Sequence, residues 1–252
     1  MYLNFNHKYV LVTGATGEIG RQICLDFILE GALVIPLYRN DCKKEKFLNW
    51  LKENGANLDS VFPYKADLTK RDDIKSAINR ILKEHNKIDV LVNCAGYAVE
   101  MPFLMLEDNQ IDDQININYL APMIVMKEVL RSMFINKGGN IVNISSATAT
   151  KFGRGVSVYG SAKAGLERFT KIIAQEVGKK GIRVNSVSPG VIDTDMSQDL
   201  IARGKNNIKE FTALRKYGTP IDVSKAVLFL ASDDTAGFIT GHVLNVDGGI
   251  FL

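Results

Sequence analysis

Residues 10–20 read "VLVTGATGEIG". Val10 to Thr13 are apolar or β-branched and suit a buried strand, Gly14, Gly17 and Gly20 punctuate a turn, and "EIGRQICLDFILEG" continues at helical spacing until Gly31. A strand, a glycine turn and a helix in that order let backbone N–H groups and the positive helix end face a diphosphate. The competing explanation is a strand-to-helix turn whose glycines serve packing alone. Glu18 is the discordant residue. A carboxylate in the first helical turn suits the helix dipole, yet it repels a diphosphate that it faces. Glu18 is therefore expected to point to solvent, with Gly17 making the close approach.

Outward from this turn, short β-rich runs alternate with helical patterns: "KYVLVT", "ALVIPLY", "SVFPYKA", "IDVLVN", "GNIVNIS", "GIRVNSVS" and "HVLNV". Several are apolar on both faces, which calls for a parallel sheet covered by helices on each side. The expected class is α/β, a Rossmann-type doubly wound parallel sheet of about seven strands, forming one dinucleotide-binding domain over residues 1–252. Residues 191–216 form the longest strandless stretch and suggest a mobile substrate lid. The chain has 252 residues, 46% hydrophobic and 23% charged, and its 31 basic and 28 acidic residues are scattered, so no nucleic-acid partner is indicated. Cys24, Cys42 and Cys94 are far apart without CxxC spacing, and His7, His85 and His242 share no motif, so neither a metal site nor a disulfide framework is expected. No apolar run approaches the ~20 residues of a membrane span. A soluble, cytoplasmic protein is expected.

Chemistry-bearing residues follow. In "LYRN", Arg39 stands where an acidic residue would bind a ribose diol, and a guanidinium can pair bidentately with a 2'-phosphate. This favours NADP over NAD, the alternative being a solvated loop arginine. "YGSAKAG" puts Tyr159 and Lys163 four apart on one helix face. A neighbouring ammonium favours the phenolate, so Tyr159 is expected to exchange protons more easily than a free phenol. Ser146 follows strand "GNIVNIS", at the carboxyl edge where open α/β sheets place ligands, and could donate to a carbonyl oxygen. Asn118 interrupts the apolar stretch "ININYLAPMIVM", either as a functional amide or as a residue of a kink before Pro122. Met123, Met126 and Met133 read as core or interface filler.

These motifs together resemble the short-chain dehydrogenase/reductases, whose first turn usually reads TGxxxGxG. Thr13, Gly14 and Gly20 match; Glu18 replaces the middle glycine and Gly17 sits one position early. The resemblance implies that Gly14, Thr16, Gly17 and Ile19 cradle the cofactor phosphates, that Asp67 and Leu68 in "ADLT" border the adenine, and that Asn93, Ala95 and Gly96 in "NCAG" line the cofactor, with Cys94 replacing a second asparagine. Pro189, Gly190, Ile192 and Thr194 in "VSPGVIDTDM" fall on the nicotinamide side, flanked on the substrate side by Met101, Phe103 and Met196. It further implies that Lys163 holds the nicotinamide ribose and that Asn118 completes a proton relay to it. "PGVIDTDM" and the C-terminal "ASDDTAGFITGHVLNVDGG" look most like 3-oxoacyl-acyl-carrier-protein reductases. That likeness implies an NADPH-dependent homotetramer, with helices near 110–136 and 158–179 at its interfaces. An acyl-carrier protein would dock on Lys137, Lys179 and Lys180 beside the active-site mouth. A sugar, polyol or other small-alcohol dehydrogenase is the rival enzyme reading. An idle nucleotide-binding scaffold, motivated by Glu18, is the rival of another class.

Overall fold

The computed structural model describes residues 3–151, 153–198 and 210–250. Its seven parallel strands, β1 (Tyr9–Thr13), β2 (Leu33–Tyr38), β3 (Tyr64–Lys65), β4 (Val90–Asn93), β5 (Gly139–Ile144), β6 (Ile182–Pro189) and β7 (Val243–Val246), pair in the order β3-β2-β1-β4-β5-β6-β7. The order reverses between β1 and β4, and this switch point is where open α/β sheets bind ligands beyond the strand ends. All seven expected strands are present. β3 is reduced to two residues because Pro63 has no N–H for the ladder; just before it, Phe62 N–H still donates to Val34 O at 2.8 Å.

Alternation along each strand builds two cores. Val10, Val12 and Val34 pack with Ile23 and Phe27 of helix α1 (Glu18–Leu29) and with Val223 and Val227 farther along the chain. Leu11 and Ile35 point to the other face. There they meet Ile74, Ile78 and Ile81 of a helix over Arg71–His85, together with Val125 and Leu166. Every one of these side chains is at most 1% exposed, and full burial of an aliphatic side chain contributes ~1.5–3 kcal/mol. Helix α2 (Asp41–Glu53) follows β2, α3 is the Arg71–His85 helix, and α4 (Asp108–Ile115) runs through a π-helical turn at Asn116–Leu120 into α5 (Ala121–Asn136). Pro122 cannot supply the N–H that the Asn118 carbonyl would accept in a continuing α-helix, which accounts for the irregularity beside it.

Helix α6 (Ser157–Val177) is pinned to the sheet by buried polar bonds. Asn93 Nδ2 donates to Asn143 Oδ1 at 2.8 Å, and Asn143 Nδ2 donates to Thr170 Oγ1 at 2.9 Å. Thr170 Oγ1 in turn donates to Leu166 O and lies 3.0 Å from Ser186 Oγ. These bonds join β4, β5 and β6 to α6, and inside a dry core a broken link leaves an unpaired polar group. Of the expected lid, residues 199–209 lie outside the described residues; its start carries a short 3₁₀ turn, Asp195–Ser197.

Candidate active site

The glycine turn after β1 is close-packed. Gly14 has φ +65°, and a Cβ there would lie 2.6 Å from Ala95 Cα; at Gly20 it would lie 2.2 Å from Gly14 O. Both positions exclude side chains. Gly17 has more room, 3.4 Å to its nearest neighbour, and caps α1 without a side-chain bond, leaving the first-turn amides without a side-chain acceptor. Thr13 Oγ1 accepts from the N–H groups of Cys94 (3.0 Å) and Ala95 (3.2 Å), which locks "NCAG" beside the turn. Uncapped amides and a backbone kept bare by close contacts suit a dinucleotide diphosphate at the β1/β4 switch point. Thr16 and Ile19 are partly exposed in this turn, and Gly96 is exposed at the end of "NCAG".

At the far end of the groove, Arg39 is exposed past β2. Burial alone would raise the Asp67 carboxyl pKa, but bonds from the Thr69 hydroxyl and amide, with the charges of Arg39 and Lys70, hold it below its ordinary value. Leu68 beside it is partly buried. The Asn93 side chain is buried between strands and donates to Asn143, its Oδ1 finding no partner among the described residues, so only its backbone is free to line a cofactor.

Glu18 departs from expectation. It does not reach into solvent; Oε2 accepts from Asp195 N–H at 2.6 Å, Arg21 Nη2 lies 3.9 Å from Oε1, and the side chain is 27% exposed. A contact across 177 residues of sequence has no local signature.

Tyr159 and Lys163 share one face of α6, opposite Ser146 at the end of β5. Ser146 Oγ accepts from Thr148 N (3.2 Å) and Thr148 Oγ1 (2.9 Å). With both lone pairs engaged, its own proton is left to be donated towards the Tyr159 hydroxyl. Burial raises the Tyr159 pKa, the Ser146 bond opposes that rise, and Cys94 adds to it. Burial thus outweighs the expected easing by Lys163, whose ammonium sits over the ring, 5.7 Å from its centroid, and donates to Ile144 O at 2.7 Å. Burial lowers Lys163 itself from 10.5 to about 8, and burial raises the Cys94 thiol to about 12, which keeps it neutral.

Asn118 is fully buried in the π-turn. Its Nδ2 donates to Tyr97 O (2.6 Å) and Gln114 O (2.8 Å), and its Oδ1 accepts from Tyr97 N. The side chain is spent on backbone, so any link to Lys163 passes through the Asn118 carbonyl. On the remaining wall Pro189 ends β6 and Gly190 N–H donates to Val246 O; a Cβ on Gly190 would meet Asp247 Cα at 2.7 Å. Ile192 bridges to Gly218, and Thr194 caps the 195–197 turn reciprocally with Ser197. Phe103 and Met196 are 60% and 62% exposed, and Met101 is partly buried.

Two contributors carry a weaker sequence signal. Glu167, four residues past Lys163 on the buried face of α6, accepts from Ser145 Oγ at 2.7 Å and steadies the strand end before Ser146; burial raises its pKa despite that bond. Gln114 holds the 97–99 loop through Val99 N and also accepts Asn118 on its carbonyl. The first follows from the spacing 159, 163, 167; the second has no spacing signal.

The lysines fall elsewhere. Lys137 ends α5 at φ +53°, and Lys179 and Lys180 lie in the turn before β6, close to Lys137. Both groups precede β5 and β6, whereas Ser146 and Pro189 lie at the opposite strand ends, about 20 Å away at ~3.3 Å per residue. They do not border this chain's own active-site mouth, because parallel strands put everything that precedes them on the other edge.

Comparison with known proteins agrees with this geometry. A family model described as enoyl-(acyl carrier protein) reductase matches residues 14–250. The 3-oxoacyl-[acyl-carrier-protein] reductase FabG of Thermotoga maritima is 34% identical over 245 residues, covering 97% of this chain and 98% of that protein. The protein of the same name from Escherichia coli is 34% identical over 250 residues, covering 99% and 100%. Among solved structures, gox2181 superposes with TM-score 0.93 at 28% identity, covering 100% and 99% of the two chains. ElxO with NADP bound superposes with TM-score 0.88 at 35% identity, covering 96% and 98%.

Proposed function

The chain belongs to the short-chain dehydrogenase/reductase family, and from that premise we propose that it reduces 3-oxoacyl thioesters with NADPH. The observation that carries the reading is the directed chain Thr148 to Ser146 to Tyr159, with Lys163 over the Tyr159 ring, at the carboxyl edge of the sheet. Bound NADPH would supply the hydride. Gly14, Gly17, Ile19 and their neighbours would hold its diphosphate, Arg39 its 2'-phosphate, and Pro189, Gly190, Ile192 and Thr194 the nicotinamide end.

Tyr159 is the acid. A raised pKa keeps its proton on at neutral pH, the state that reduction needs. As the hydride arrives, the Tyr159 hydroxyl gives its proton to the carbonyl oxygen while Ser146 hydrogen-bonds the same oxygen. The Lys163 ammonium stabilises the phenolate left behind and, near pH 8, can return a proton to it and be recharged from solvent through water held on the Asn118 carbonyl, which Pro122 leaves without its helical donor.

The thioester assignment rests on the relatives' printed activity. α5 and α6 expose Phe134, Ile135 and Ile172 (40%, 81% and 42%), the apolar faces that a homotetramer would cover. The test is NADPH oxidation with a panel of 3-oxoacyl thioesters, sugars and simple ketones. Highest kcat/KM on the thioesters supports the reading, and highest kcat/KM on a sugar or a simple ketone refutes it.

A further inference from the structure

Glu18 stands where the glycine turn has no need of a carboxylate, and the structure gives that carboxylate a partner. Asp195 opens the 195–197 turn, so its N–H has no acceptor within the turn. The neighbouring polar groups are already committed: Thr194 N–H donates to Ser197 Oγ at 3.2 Å, and Ser197 N–H to Thr194 O at 2.9 Å. Glu18 Oε2 supplies the missing acceptor at 2.6 Å, a charge-assisted bond between the N-terminus of α1 and the segment that leaves the sheet after Pro189. Arg21, one turn along α1, lies 3.9 Å from the other carboxylate oxygen and stacks 4.6 Å above the Trp50 ring of α2. Arg21 thus offsets the charge of Glu18 and is itself braced, so the carboxylate can sit beside a phosphate-binding helix end without cancelling its attraction for anions.

We propose that Glu18 is a positioning residue that latches segment 194–197, with Thr194 on the nicotinamide side and Met196 on the substrate side, to the cofactor turn. The kinetic consequence rests on the reductase reading above; the latch does not. A glutamine at position 18 keeps an acceptor oxygen and loses the charge, whereas an alanine loses both. If Glu18 acted only by repelling the diphosphate, the two variants would behave alike and both would tighten NADPH binding.

The experiment is amide hydrogen exchange of the full chain without added cofactor, combined with steady-state kinetics, for wild type, Glu18→Gln and Glu18→Ala. Asp195 N–H should exchange about tenfold faster in Glu18→Ala and within about threefold of wild type in Glu18→Gln, as loss of one hydrogen bond implies. For the ketone, KM should rise about fivefold in Glu18→Ala with kcat within about twofold, and Glu18→Gln should restore it. Arg21→Ala, which leaves the Glu18–Asp195 bond formed but unbraced, should fall between wild type and Glu18→Ala in exchange and guards against misreading an unfolded variant. Equal Asp195 exchange in wild type and Glu18→Ala overturns the latch, as do matching behaviour of the two Glu18 variants or an unchanged ketone KM alongside faster exchange. Absence of ketone reduction in the wild type overturns the functional reading, and the exchange rates still decide the latch.

Discussion

Replacing Lys163 by Met should make stability depend on pH in a way that isolates one buried charge. Lys163 is 2% exposed, and burial brings its pKa from 10.5 to about 8. Between those values the unfolded chain binds the proton and the native protein does not, so the wild type gains stability as pH rises through the window. Below pH 8 the full cost of the buried ammonium, about 3 kcal/mol, is present. Removing the group recovers that cost at pH 7 and loses the bond to Ile144 O, roughly 1 kcal/mol; the contact of the ammonium with the Tyr159 ring is already contained in the shifted pKa. Lys163→Met is therefore expected to be about 2 kcal/mol more stable than wild type at pH 7 and nearly equal to it at pH 10. Urea denaturation of both proteins at several pH values measures it, and titrations elsewhere cancel in the difference. A difference that stays flat within ~0.5 kcal/mol from pH 7 to 10 would refute the claim that Lys163 titrates as a buried, unpaired base.

Arg39→Ala should lower the NADPH-over-NADH preference by roughly 10- to 100-fold, the worth of a charge-assisted bond to a phosphate, read as the ratio of kcat/KM values; an unchanged ratio removes Arg39 from the cofactor site. Asn143→Ala opens the buried polar links between β4, β5 and α6 and should cost about 2–3 kcal/mol, measured by urea denaturation; a loss under ~0.5 kcal/mol would show that these bonds do not hold α6. The rate of ketone reduction should fall as pH rises through about 8, because neutral Lys163 no longer stabilises the Tyr159 phenolate; a rate that is flat from pH 7 to 9.5 contradicts that role.

Much of the fold was legible because its signals are local. Strand periods, Gly14, Gly20 and the helix behind them lie within a few residues of one another, and Pro63 even marks where β3 begins. Tyr159, Lys163 and Ser146 were legible for the same reason, since i,i+4 spacing and a strand end place them together. The direction of the Tyr159 shift was not, because spacing shows that a cation is near and not that the phenol is desolvated or that the cation lies over its ring. Asn118 shows the same limit: an amide in an apolar helix announces that it needs partners, but Tyr97 and Gln114 become those partners only through the π-turn. Glu18 depends on a residue 177 positions away, beyond any periodicity. The place of Lys137 and Lys180 follows from strand direction, which becomes definite once β5 and β6 are known to be parallel.

Protonation of a ketone by Tyr159, with Ser146 holding its oxygen and NADPH delivering the hydride, is probed by following NADPH oxidation with a 3-oxoacyl thioester in wild type and Tyr159→Phe. The variant loses one hydroxyl, so its thermal midpoint should stay close to that of wild type, while kcat falls ~10²–10⁴-fold. Turnover of the 3-oxoacyl thioester by Tyr159→Phe at near wild-type rate, with the fold intact, would rule out Tyr159 as the acid.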